Sequence, residues 1–121
     1  MAGEVHKLLI FLKRKPGLST DEFRSYYEEK HVPLIMPYMA GPVSYRRCYL
    51  DPVEGQPQQE FDVVTELCFA DKAMRDMVLA GMVAGQLPPE VIQDEKNFID
   101  RPKSRVHAVT ERETHLETPQ S

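Results

Sequence analysis

The chain has no tryptophan and only two cysteines, Cys48 and Cys68, in 121 residues. Two cysteines do not make the multi-disulfide framework of a small secreted scaffold, so both are expected as reduced thiols packed like small hydrophobes on strands. No apolar run approaches the roughly 20 residues that a membrane-spanning helix needs. The Leu8–Leu12 stretch is too short for the apolar region of a signal peptide and follows no cationic segment. These absences predict a cytoplasmic protein without a membrane partner. Basic charge is not in excess: 15 Lys and Arg stand against 19 Asp and Glu, a net charge of −4. A nucleic-acid partner, which needs a basic face, is therefore not expected. There is no H-E-x-x-H, no C-x-x-C and no close His/Asp pair with ligand spacing, so no metal site is predicted. There is no glycine-rich phosphate loop either, since Gly81 and Gly85 read as a helix end, and no cofactor is expected.

What is present is globular: 41% hydrophobic and 28% charged residues, enough for one small core. Residues 6–14, HKLLIFLKR, form an apolar run of strand length stopped by Pro16-Gly17. Ser19 and Glu22 form a capping box, with Leu18 and Phe23 as its hydrophobic staple, so a helix starts near Thr20. Its inward stripe is Phe23, Tyr27, His31 and Leu34, and Pro33 and Pro37 close it. Residues 43–50 and 61–69 are rich in β-formers and flank a proline- and glycine-bearing loop. Asp71 caps a second helix with Ala73, Met74, Met77, Val78 and Met82 inside, and Pro88-Pro89 open a short third one. A last strand covers about residues 104–111, and the final residues, 113–121, read as a polar tail. Residues 1–112 are thus one domain of order β-α-β-β-α-(α)-β, an α+β, ferredoxin-like split βαβ fold with a four-stranded antiparallel sheet. Helices cover one face of such a sheet; an apolar second face is expected to be buried by another copy, as a homodimer with a shared α+β barrel. An RNA-recognition module has the same order, but two acids replace its basic and aromatic third-strand signature.

His31 is the leading candidate for chemistry. It lies near the C-terminus of its helix, which favours imidazolium, while apolar burial opposes it. An imidazole so balanced exchanges a proton near neutral pH; the alternative is a core histidine bonded to a backbone carbonyl. Asp62 and Glu66 are four apart on a strand and expected on one side, either facing a pocket or paired with Arg46, Arg47 or Arg105. Tyr26, Tyr27, Tyr45 and Tyr49 offer apolar walls with hydroxyl tips, or plain packing. His6 and His107 lie on the first and fourth strands, and His115 lies in the tail.

The run Lys7–Ser19, then Phe23, Tyr26-Tyr27 and His31-Val32-Pro33-Leu34, with Phe61-Asp62 to Phe69 and Glu95–Asp100 later, resembles the EthD-domain family over about residues 6–112. That resemblance implies a dimeric α+β barrel. Within the family the chain is similar to small fungal proteins encoded beside aromatic polyketide synthases. Several of these decarboxylate atrochrysone carboxylic acid, an anthraquinone precursor; related barrels are polyketide cyclases in which a strand-one histidine lines the pocket. The resemblance thus implies a cofactor-independent lyase acting on a fused-ring aromatic acid. His31 would donate the proton, Tyr27 or Tyr45 polarise an oxygen, and Glu66 or Asp62 orient the histidine. Leu34, Met36, Met74, Met77 and Phe69 would supply apolar walls, with His6 and His107 as further pocket residues. Cyclisation, dehydration, or non-catalytic binding of an intermediate are the alternatives that the same pocket allows.

Overall fold

In the computed structural model, which describes residues 5–118, four strands form one antiparallel sheet of order β2-β3-β1-β4. They are β1 (His6–Leu12), β2 (Ser44–Tyr49), β3 (Val63–Phe69) and β4 (Arg105–Val109). This is the ferredoxin-like order expected from the sequence, with β1 and β3 central. The register decides what each face carries. Leu8 pairs with Leu67, Ile10 with Thr65 and Leu12 with Val63, and these rows meet the helices in the core. The intervening rows, Leu9 with Glu66 and Phe11 with Val64, point the other way.

The first helical run begins at α1 (Thr20–Tyr26), where the Ser19 side chain accepts from the Glu22 amide and Glu22 accepts from the Ser19 amide. Pro33 does not end it. The helix instead widens to a π turn over Tyr27–His31, resumes as α2 (Val32–Ile35), and finishes in a 3₁₀ turn at Met36–Tyr38. The Val32 amide reaches back five residues to the Tyr27 carbonyl. A proline lacks the N–H for a regular helical bond and its ring crowds the preceding turn. One added residue ahead of it relieves that crowding and keeps the axis running. The added residue also rotates everything beyond it, so Ile35 replaces Leu34 on the inner face.

Helix α3 (Lys72–Val83) is capped by Asp71, which accepts from the Ala73 amide, and lays Met74, Val78, Leu79 and Met82 on the sheet. Gly41 lies under it, where an added Cβ would sit 2.7 Å from Met74 Sδ. Helix α4 (Pro89–Glu95) buries Val91. The chain after it buries Phe98 and Ile99, and Ile99 bridges to Arg14. Phe23, Tyr27, Val63 and Phe98 form the centre of the larger core cluster.

The face of the sheet away from the helices is mixed rather than uniformly apolar, contrary to the expectation from the sequence. Leu9, Phe11 and Val64 share it with Lys7, Arg46 and Glu66. Cys68 is buried, but Cys48 is exposed on the edge strand. Beyond β4, residues 110–118 have no regular structure, with Glu111 returning to Lys7 at 2.7 Å; the last three tail residues lie outside those described. Among the described residues, no helix is long and apolar enough to cross a membrane.

Candidate functional site

Between the sheet and the helices lies a cavity of about 360 Å³, within the size range of small-molecule sites. Its floor is Ile10, Leu12, Thr65 and Leu67, and Tyr45, Met39, Met82, Val91 and Ile99 line it around that floor. Tyr27, His31 and Ile35 enter it from the first helical run. Among the described residues that line it there is no lysine or arginine.

His31 is 5% exposed. The π turn brings it over Phe98, 4.8 Å between ring centres, and edge-on to Tyr27 at 5.5 Å. Its Nδ1 lies 2.9 Å from Asp94 Oδ2 on α4. Asp94 is fixed in turn by the Tyr26 hydroxyl, which donates to Oδ1 at 2.6 Å, and Asn97 donates to Tyr26 at 2.9 Å. Burial lowers the His31 pKa, and the Asp94 carboxylate only partly offsets this, so the imidazole sits below its ordinary value. Burial also acts to raise the Asp94 carboxyl, but hydrogen bonds from Tyr26 and His31 outweigh it and hold the group ionised. The resting pair is therefore a neutral imidazole whose Nδ1–H donates to a carboxylate. That tautomer leaves the Nε2 lone pair as a proton acceptor, which Asp94 supports once the ring is charged.

A second chain of polar groups crosses the floor. Tyr45 donates to the Tyr27 hydroxyl at 2.9 Å, and Tyr27 and Thr65 share a hydrogen bond of 2.7 Å. Burial pushes both phenols well up, so they remain protonated donors. Glu95, next to Asp94, also lines the cavity, and burial raises its carboxyl although it pairs with Arg101.

The acids expected to orient the histidine are elsewhere. Glu66 is on the opposite face of the sheet, where Lys7 pairs with it at 2.6 Å and holds its carboxyl below the usual range. Asp62 is 5% exposed, just before β3. It accepts from the Arg14 amide at 2.8 Å and lies 3.3 Å from Arg14 Nε, tying the end of β1 in place. The two are not on one side as expected, because β3 begins only at Val63 and the backbone bends at Asp62. The carboxylate at His31 is Asp94. Met77 lines the cavity from its rim and is 67% exposed. Leu34 and the exposed Met36 are not among the lining residues, and Phe69 is fully buried in the core behind it. His107 lies on the open face against Phe11, at 5.9 Å, and His6, at the start of β1, is not among the residues lining this cavity. Asp94, Glu95 and Thr65 were not legible as site residues from the sequence. The one available signal was the acidic pair at the end of a short helix beside Phe98, in a stretch that already carried the family resemblance.

No curated protein sequence matches the chain significantly. Among solved structures, it is similar to a hypothetical protein of Arabidopsis thaliana, at 13% identity and a TM-score of 0.60 over 96% of both chains. It is also similar to an EthD family protein of Bacillus halodurans, at 15% identity and 0.57, over 88% of this chain and 99% of that one. A dimeric ferredoxin-like protein of Jannaschia sp. matches at 13% and 0.54, over 89% and 100%. At such identities these structures speak for the fold. The family model of the EthD domain matches residues 15–102, a span that carries Tyr27, His31, Asp94 and Glu95, and the chain belongs to the EthD domain family.

Proposed function

We propose that the protein is a cofactor-independent carboxy-lyase that removes carbon dioxide from a fused-ring aromatic polyketide acid of the atrochrysone carboxylic acid type. The observation that carries this reading is the His31–Asp94 pair opening onto a largely apolar cavity. The substrate class supplies its own electron sink, a keto group β to the carboxyl. The substrate enters as its carboxylate, and His31 Nε2 takes up a proton from solvent to give an imidazolium that Asp94 stabilises. The carbon–carbon bond then breaks, carbon dioxide leaves, and the electron pair moves into an enolate. With Thr65 as donor in their shared bond, Tyr27 accepts from both Thr65 and Tyr45, and its own O–H then donates to the enolate oxygen. The imidazolium gives its proton to the carbon, so the carboxylate is replaced by hydrogen and the neutral imidazole is regenerated. His31 is thus first acceptor and then donor. The cavity walls, with Met39, Met77 and Met82 as adaptable side chains, suit a flat ring system.

The protein is proposed to act as a homodimer. The open face of the sheet bears Leu9, Phe11 and Val64, with Phe61 against Phe11 at 5.4 Å, and the Jannaschia protein of the same fold is dimeric. Light scattering should give about twice 13.9 kDa.

The direct test is incubation of purified protein with the aromatic polyketide acid, followed by mass analysis. Loss of carbon dioxide supports the proposal. Loss of water assigns the same acid–base pair to dehydration, and no turnover would leave a binding protein. His31→Gln should lower turnover by roughly a hundredfold or more while substrate binding persists.

A further inference from the structure

The main cavity does not end at Glu95. A second cavity of about 290 Å³ adjoins it and shares six of its residues: Ile10, Leu12, Met82, Leu87, Glu95 and Ile99. Its remaining wall differs in character, because it includes Arg101, Ser104 and Arg105. Glu95 and Arg101 therefore stand where an apolar chamber meets a cationic one. Arg101 Nη1 donates to Glu95 Oε1, and the two side chains are unequally placed, Glu95 at 14% exposure and Arg101 at 44%.

We infer that the second cavity is an anion-binding annex, in which Arg101 exchanges Glu95 for an ionised oxygen, phenolate or carboxylate, at the far end of a ligand whose rings fill the main cavity. This rests on the reading of the main cavity as the substrate site and names one more feature of that substrate, an acidic group remote from the carbon that reacts.

The exchange follows from the geometry of the pair. Glu95 holds Arg101 from a position where its charge is poorly solvated, and burial already pushes its carboxyl upward. The charged groups about it are Arg101, which favours its ionised form, and Asp94, which opposes it; Lys15, Lys96 and Asp100 line the outer cleft and Arg105 the annex. A ligand anion arriving on the more exposed side of Arg101 keeps the guanidinium paired, and Glu95 then takes a proton from solvent. Charge balances: one anion enters, one carboxylate is neutralised. The planar guanidinium is suited to a carboxylate in a way that an ammonium is not.

The test uses two probes of one shape, anthraquinone-2-carboxylate and anthraquinone-2-carboxamide, with binding followed by calorimetry at pH 6 in buffers of different ionisation enthalpy. The wild-type protein should prefer the carboxylate and take up protons as it binds. Arg101→Gln should weaken the carboxylate by roughly tenfold or more, the loss of a charge-assisted hydrogen bond, and leave the carboxamide nearly unchanged. Glu95→Gln should bind the carboxylate at least as tightly with no proton uptake. An Arg101→Gln variant that loses both probes equally, or neither, overturns the annex, as does proton uptake that survives Glu95→Gln. Carboxamide binding without any preference for the anion would sink the annex alone. Failure of the wild-type protein to bind either probe would remove the cavity reading and the annex with it.

Discussion

Replacing Asp94 by asparagine isolates the charge at the centre of the site. The side chain keeps its size, and its amide oxygen can still accept from His31 Nδ1 at the present 2.9 Å. What disappears is the negative charge facing the imidazolium and the charge-assisted bond from Tyr26, now 2.6 Å. A hydrogen bond to a charged partner contributes about 1.5–3 kcal/mol against about 0.5–1.5 for a neutral one. The pair is only partly screened, with side-chain exposures of 7% for His31 and 15% for Asp94. The expected cost at the transition state is the difference, about 1–1.5 kcal/mol, a fall in kcat/KM of roughly five- to tenfold. The same change moves a titration. Burial lowers the His31 pKa and Asp94 opposes that fall, so removing Asp94 must lower it further. Because the substrate carboxylate reacts with the imidazolium form of His31, activity falls as pH rises through the His31 pKa, and this basic limb of the kcat/KM profile should move to lower pH in Asp94→Asn. A proton NMR titration of the His31 ring should show the same displacement. A basic limb and a ring titration that both stay in place would refute the argument that Asp94 controls the histidine.

The one-residue offset of the π turn predicts that Ile35→Ala raises KM for a ring substrate while Leu34→Ala leaves it within about twofold, measured by steady-state kinetics, since only Ile35 lines the cavity. Asp62→Asn should cost about 1–3 kcal/mol in urea unfolding through the Arg14 contacts, with kcat little changed in the folded fraction; a large loss of kcat at full stability would place Asp62 back in the mechanism. Stability should also fall on acidification in two windows. With its folded pKa depressed, His31 binds fewer protons than in the unfolded chain, so stability is lost as pH falls from about 6.5 towards the folded value. Asp94, whose folded pKa lies below the ordinary 3.8, contributes stability above that pH that is lost as pH falls further. Urea midpoints from pH 8 to 3 should resolve both, and His31→Gln should remove the first.

Local chemistry determined much of the fold. The Ser19–Glu22 box, the Asp71 cap and the Pro88-Pro89 start each act within a few residues, so the sequence alone placed three helix starts that the structure retains. Strand alternation likewise separated Val63, Thr65, Leu67 and Phe69 from Glu66, and the element order implied the sheet. His31 was legible as an inward-facing histidine because helical spacing is a local property. Its partner was not. His31 and Asp94 are 63 residues apart in the chain, and only the packing of α4 against the π turn joins them. Asp62 and Glu66 looked like better partners because strand parity counts residues, and no parity rule reports where a strand begins. Pro33 read as a stop because proline cannot join a regular helix. Neighbouring packing made a π turn the lower-energy answer, and that turn brought Ile35 into the cavity and left Leu34 out of it. Tertiary structure also decided the state of the two adjacent carboxyls. Asp94 receives hydrogen bonds from Tyr26, His31 and Asn97 and stays charged, whereas burial raises the Glu95 carboxyl even though it pairs with Arg101, because a proton's affinity depends on the solvation and charge around it rather than on the residue that carries it.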